Sequence, residues 1–236
     1  MALIVDALDR VARHVSLTAP SSWLTATEDE YVEIRDDFLA ECVDDILERF
    51  DLPSPVGKQT TITGTGVETY TLPADFKRLQ RTPLSVYDEQ YDKAGIPISS
   101  DGEWTYLGSN GITGATRYYR LSGYDGAFSI SFLDTPSTDI TVSYMSKNWM
   151  ATSGGTAGYA FTSATDVLLF PERVVVTGIV WRWRARKGLP FSDVYSEHEA
   201  LLTRLGNDAK GLRTITFGGI KTVRWQDQVP AFIPAS

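Results

Sequence analysis

The sequence predicts an α+β protein: an α-helical bundle of about four helices, an inserted small antiparallel β-sandwich or open-barrel domain, and an extended C-terminal tail. Three observations carry this reading. The hydrophobic period is helical at both ends of the chain and alternating through the middle. One helical stretch, 171–187, is apolar on nearly every side and must be enclosed by something. Residues 214–236 hold Pro230 and Pro234 and show no helical period. The expected division is 1–57 with 161–213 as one discontinuous helical unit, 58–160 as the inserted β domain, and 214–236 as the tail.

Taken in order, Ile4, Leu8, Val11, Ala12 and Val15 share one face of a short helix over 3–16. After a loop through Pro20, Thr27-Glu-Asp-Glu30 reads as a capping box, in which hydroxyl and carboxylate satisfy free N–H groups reciprocally. It opens a helix to Phe50. Ile34, Phe38, Leu39, Cys42, Ile46 and Leu47 line its inner side, and Glu33, Asp36, Asp37, Glu41, Asp44, Asp45 and Glu48 its outer side. Leu52-Pro-Ser-Pro55 ends this unit.

From 58 the period changes to alternation. Residues 59–63 and 67–72 flank Gly64-Thr-Gly66 and read as a hairpin. The clearest pair of strands is 127–133 followed by 139–144, where apolar and small polar residues alternate, so that one face is buried and the other solvated. Shorter strands are expected at 84–91, Trp104–Leu107 and 117–122, and Gly154-Gly155 marks a flexible return. In the apolar helix that follows, Pro171 fits the first helical position, where its missing N–H costs nothing, and Glu172 lies beside the positive end of the dipole. Arg182, Arg184, Arg186 and Lys187 lie at the negative end, before Gly188 and Pro190 stop the helix. A last helix over 192–209 carries Val194, Tyr195, His198, Leu201, Leu202 and Leu205 on one side. The tail holds Ile215, Phe217, Trp225, Phe232 and Ile233, richer in apolar residues than a disordered segment. A greasy extended segment of this kind lies in a groove.

Composition restricts the function. The 236 residues are 42% hydrophobic, enough for a real core, and the formal charge of −8 argues against a nucleic-acid-binding domain, which needs a basic field. That charge is uneven: residues 1–52 hold thirteen acids against four bases, and residues 171–225 ten bases against five acids. Such polarity suits head-to-side packing of identical copies, and ordinary pairing within one chain explains it equally well. Cys42 is the only cysteine, which excludes an internal disulfide and a thiol metal cluster. The acidic N-terminus is unlike a signal peptide, and no stretch approaches the roughly 20 apolar residues of a membrane span. His14 and His198 stand alone on separate helices, and no metal-ligand spacing, nucleophile elbow or phosphate loop is present. The carboxylates of 28–48 look alike, whereas catalytic pairs need contrasting surroundings. The expectation is no catalyst, no cofactor and no metal. The Trp181-Arg-Trp-Arg-Ala-Arg-Lys187 run caps a helix dipole, meets the acidic helix of a neighbouring copy, or touches DNA. Trp181 and Trp183 lie about 200° apart on a helix, so they form no single stacking platform.

The order of elements, with Tyr70-Thr-Leu-Pro-Ala-Asp-Phe76, the Tyr119–Ser122 strand, Met145-Ser-Lys-Asn-Trp149, Asp166-Val-Leu-Leu-Phe-Pro171 and a Val-rich helix, resembles the head–tail adaptor proteins of short-tailed bacteriophages, of the tail tubular protein A, connector or gatekeeper type. The resemblance covers about the full length. It implies a structural virion protein assembled in the host cytoplasm. A ring of about twelve copies would sit beneath the portal protein, extend the DNA channel and dock the tail nozzle or tail fibre proteins. DNA would pass without specific binding, and no membrane is involved. On this reading Arg182, Arg184, Arg186, Lys187, Trp225, Phe232 and Ile233 make subunit or portal contacts. Glu33, Asp37, Glu41, Asp44 and Glu48 face either the channel or a neighbouring subunit. The alternatives are a tail-associated carbohydrate-binding module stacking sugars on Trp104, Tyr106, Tyr118 and Tyr119, and a cell-wall hydrolase using acids of 28–48.

Overall fold

The computed structural model describes residues 2–111, 116–124 and 126–209 and holds five continuous helices among them, four of which bury apolar residues at helical spacing. Helix α1 (Ile4–His14) buries Ile4, Ala7, Leu8, Val11 and Ala12. A rod over 29–49 then runs through α2 (Asp29–Val32), a π-helical turn (Glu33–Phe38) and α3 (Leu39–Arg49). The wider π turn keeps Ile34 and Phe38 on the buried side that Cys42, Ile46 and Leu47 continue. The capping box does not form. Glu28 is the N-cap, so Thr27 lies one residue too early, and its own N–H donates to the Glu28 carboxylate at 3.2 Å. Helices α4 (Asp101–Ser109), α5 (Glu172–Arg186) and α6 (Ser192–Ala209) complete the set.

The all-round apolar helix is α5, and its enclosure comes from its own chain: α1, the 29–49 rod and α6 all pack against it. Val174, Val175, Val176, Ile179 and Val180 are each no more than 6% exposed. At about 1.5–3 kcal/mol for each such side chain, this helix is a principal source of core stability. Gly178 lets three helices converge, because a Cβ there would stand 2.8 Å from His198 Cε1 and overlap Cys42 Sγ. Pro171 stands at the N-cap, one residue before the position its sequence suggested.

Twelve strands occur among the described residues: β1 (Gly57–Ile62), β2 (Thr69–Thr71), β3 (Phe76–Leu79), β4 (Val86–Asp88), β5 (Lys93–Ala94), β6 (Ile96–Pro97), β7 (Tyr118–Ser122), β8 (Ser129–Phe132), β9 (Ile140–Ser146), β10 (Met150–Ala151), β11 (Ala157–Gly158) and β12 (Val167–Leu168). One sheet runs β1-β9-β4-β5, with β3 sharing the second edge of β9; another runs β2-β8-β7-β6; a small third runs β11-β10-β12. All pairings are antiparallel except β6 with β7. The first two sheets enclose one core, in which Ile62, Phe76, Val86, Ile140 and Val142 meet Tyr119, Ile130 and Phe132.

Three local expectations are corrected here. Residues 59–63 and 67–72 are not a hairpin: β1 pairs with β9 and β2 with β8, so the Gly64-Thr-Gly66 turn carries the chain from one sheet to the other. Strands β8 and β9 lie in different sheets and face each other across the core, and β9 is buried on both sides, Ser143 and Ser146 included, where alternation predicted one solvated face. Alternation marks the apolar face of a strand, but not what covers the polar face or which strand lies beside it. Trp104–Leu107 is the middle of α4, capped by Ser100, whose hydroxyl accepts from Glu103 N–H. The small third sheet belongs with the helices: Trp149, Met150 and Leu168 join their core, and Leu3 bridges Val167.

Candidate interaction surfaces

The basic end of α5 is turned onto the acidic rod of the same chain. Arg182, only 10% exposed, donates to Gly178 O at 2.9 Å and lies 3.3 Å from the Asp45 carboxylate and 3.5 Å from that of Glu41. Its guanidinium also stands 4.5 Å from the centre of the Trp181 ring. Arg186 and Lys187 both reach Glu33, at 3.3 and 3.4 Å, and Arg184 reaches Asp193 at 3.8 Å. Four cations that the sequence left open to a neighbour or a portal thus all have carboxylates within the chain. Of the five acids expected to face a channel or a neighbour, Glu33 is committed to α5. Asp37, Glu41, Asp44 and Glu48 follow one another along the exposed side of the rod.

Helices and sheets are joined by a device the sequence did not reveal. Arg78 of β3 donates through Nε to Leu47 O (2.9 Å), through Nη2 to Phe50 O (2.8 Å) and through Nη1 to the Asp51 carboxylate (2.7 Å). It therefore satisfies carbonyls that the end of α3 leaves free. The neighbouring Lys77 meets Asp44 at 2.7 Å and Glu48 at 3.7 Å. The signal was present in Phe76-Lys-Arg-Leu, where two adjacent cations stand on a strand. Their partners lie a helix away in sequence, so spacing alone could not name them.

The two short motifs singled out in the sequence are joints of the same kind. In Leu72-Pro-Ala-Asp-Phe76, Leu72 and Phe76 are buried in the sheet core. Asp75 accepts from Lys58 (2.6 Å), Ser146 (2.8 Å) and the Tyr144 hydroxyl (3.1 Å), tying β1 and β9 to the start of β3. Burial alone would raise the Asp75 carboxyl, but these donors outweigh it and hold it below its ordinary range. In Leu168-Leu-Phe-Pro-Glu-Arg173, Leu168 and Phe170 enter the helical core, and Glu172 meets Arg10 of α1 at 2.9 Å. The SU10 adaptor protein family model matches residues 4–232, which includes every one of these joints. The chain belongs to that family. It is an adaptor-type phage structural protein, a component of the virion. No curated protein matches the chain.

Within this adaptor the remaining candidates are placed as follows. Trp225, Phe232 and Ile233 lie outside the described residues. The four aromatics of the carbohydrate reading do not make one platform. Tyr119 is in the sheet core, Tyr118 is half-buried, and Trp104 lies under the Arg120 guanidinium at 4.6 Å. Tyr106 alone of them is open, at 64% exposure. His14 is exposed. His198 is fully buried, its Nδ1 3.2 Å from the Thr177 hydroxyl, and burial followed by the nearby Arg182 charge pushes its pKa down. Burial pushes the Cys42 thiol up to about 12, so it stays protonated and inert. Among the described residues no cluster of three or more His, Cys, Asp or Glu could hold a metal, and no helix is long and apolar enough to cross a membrane.

Proposed function

We propose that this adaptor is a non-enzymatic head–tail connector of a short-tailed phage, whose copies form a ring beneath the portal protein, extend the DNA channel and dock the tail. The observation that carries the reading is the adaptor family match running across nearly the whole chain, from residue 4 to 232. The build of the molecule supports it. A helical layer of the bundle kind, centred on α5, is clamped to a β layer by Arg78 and Lys77, giving a stiff unit suited to repetition around an axis. The exposed stripe of Asp37, Glu41, Asp44 and Glu48 supplies a negative surface past which DNA slides by repulsion, if that side lines the channel. The tail, with Trp225, Phe232 and Ile233, supplies apolar contacts to the portal.

Electron microscopy of the adaptor mixed with portal complexes tests this. Rings of adaptor at one portal face are expected, and removal of 214–236 should abolish them while leaving the fold intact. Incorporation unchanged by that deletion would remove the tail from the reading, and portal complexes left bare by the full-length protein would overturn the connector itself.

A further inference from the structure

Two features of the described residues complement each other, an exposed helix with an outward aromatic ring and a groove with an apolar floor. The first is α4. This nine-residue helix buries none of its side chains. Trp104 lies under the Arg120 guanidinium of β7 and Leu107 is half-buried, leaving Glu103 and Tyr106 outward, while Asp101 at the helix start lies 3.2 Å from Arg120. The second is a groove of about 340 Å³ between α1, α5 and α6. Val176, Val180 and Val194 form its floor, and Arg10, Arg173 and Arg184 stand on its rim. Those arginines meet Glu172, Glu197 and Asp193. Arg173 and Glu197 are both well exposed, so an incoming carboxylate exchanges readily with Glu197 for this arginine.

We propose that α4 of one copy seats in the α1/α5/α6 groove of the next, with the Tyr106 ring on the valine floor and Glu103 toward the rim arginines. The dimensions agree: Arg173 to Arg184 spans about 16 Å along α5, and α4 is about 13 Å long. Charge and polarity agree as well, since an acidic helix with one aromatic anchor meets an apolar floor between cations. The partner is a second copy because the two surfaces differ and every copy carries both. Such a head-to-side contact repeats from copy to copy and closes when the rotation allows. The proposal rests on the ring reading and names its interface.

The test measures self-association by sedimentation velocity, alone and with portal complexes. Tyr106→Ala and Arg173→Glu should each weaken association roughly tenfold or more, and Glu103→Arg should restore the Arg173→Glu protein. Tyr106→Cys combined with Val194→Cys should give an interchain disulfide ladder on oxidation, against a clean background because Cys42 is buried. Tyr106 lies on the surface, so its variants fold. If wild-type rings form and every variant matches them, this interface is wrong and the ring stands. If the wild-type protein neither self-associates nor rings the portal, the ring reading fails and this interface falls with it.

Discussion

At the residue scale, the groups that matter most are polar side chains sealed into joints. His198 is held neutral because burial, and then the Arg182 charge, disfavour its protonated form; Asp45 and Glu199 oppose this less strongly, and Arg49 adds to it. A base whose pKa falls on folding leaves the folded state with fewer protons than the unfolded one, so stability increases with pH. The contribution is complete above the unfolded value of about 6.5 and is lost as pH drops below it toward the folded pKa. Thermal melts from pH 7.5 down to 5 should therefore show the adaptor losing stability across this window, above the carboxylate range. His198→Gln should flatten the slope, and coincident profiles would show that another group sets it. Arg78 is tested more directly. Its head group, mostly buried, makes hydrogen bonds to three carbonyls, those of Leu47, Phe50 and Leu79, and to one carboxylate. Arg78→Met keeps the stem but leaves Leu47 O, Phe50 O and Asp51 short of donors, at an expected cost of about 2–3 kcal/mol in urea unfolding. Arg78→Lys should recover only part, because an ammonium cannot span all four acceptors as the planar guanidinium does.

At the element scale, long periodic segments were legible and pairing was not. Helices α1 and α6 and the 29–49 rod were readable because turns of apolar residues accumulate on one side, and α5 because its long apolar run lies between Pro171 and the Gly188 and Pro190 stop. Strand existence was readable for β8 and β9, but their neighbours depend on contacts across the fold that alternation does not encode. Helix α4 was read as a strand because Trp104 and Tyr106 alternate with polar residues over only a few positions, and its cap at Ser100 decided otherwise. The convergence at Gly178 was invisible for the same nonlocal reason, and it makes a sharp prediction. In an isolated helix Gly→Ala would gain about 1 kcal/mol. Here the added methyl meets the His198 ring and the Cys42 sulfur, so Gly178→Ala should instead destabilise by about 1–3 kcal/mol. Calorimetry should show a melting temperature several degrees lower. Cys42→Ala in the same chain should restore part of the loss, since the two sites share one space. A Gly178→Ala protein that melts higher than wild type would mean the three helices separate without penalty.

At the scale of the whole molecule, the charge asymmetry visible in the sequence divides into a spent part and a free part. The spent part joins cations of α5 to the half-buried Glu33 and Asp45 and holds two helices together. The free part is the outer stripe, where Asp44 and Glu48 share Lys77, Glu41 touches Arg182 from an exposed position, and Asp37 is open to solvent. Exposed pairs contribute about 0–1 kcal/mol each, so stability does not require this density of negative charge. Replacing the stripe as Asp37→Asn, Glu41→Gln, Asp44→Asn and Glu48→Gln together should leave the melting temperature within a few degrees of wild type. If the stripe faces the channel, portal-bound rings of the variant should form normally but retain duplex DNA in low salt. That retention should fade as salt rises, because counterion release drives such binding. If the stripe instead contacts a neighbouring subunit, the variant rings should fail to form while the monomer stays folded. Normal rings without DNA retention would exclude both placements and leave the stripe as solvated outer surface, so sedimentation and filter binding on one variant decide where this face points.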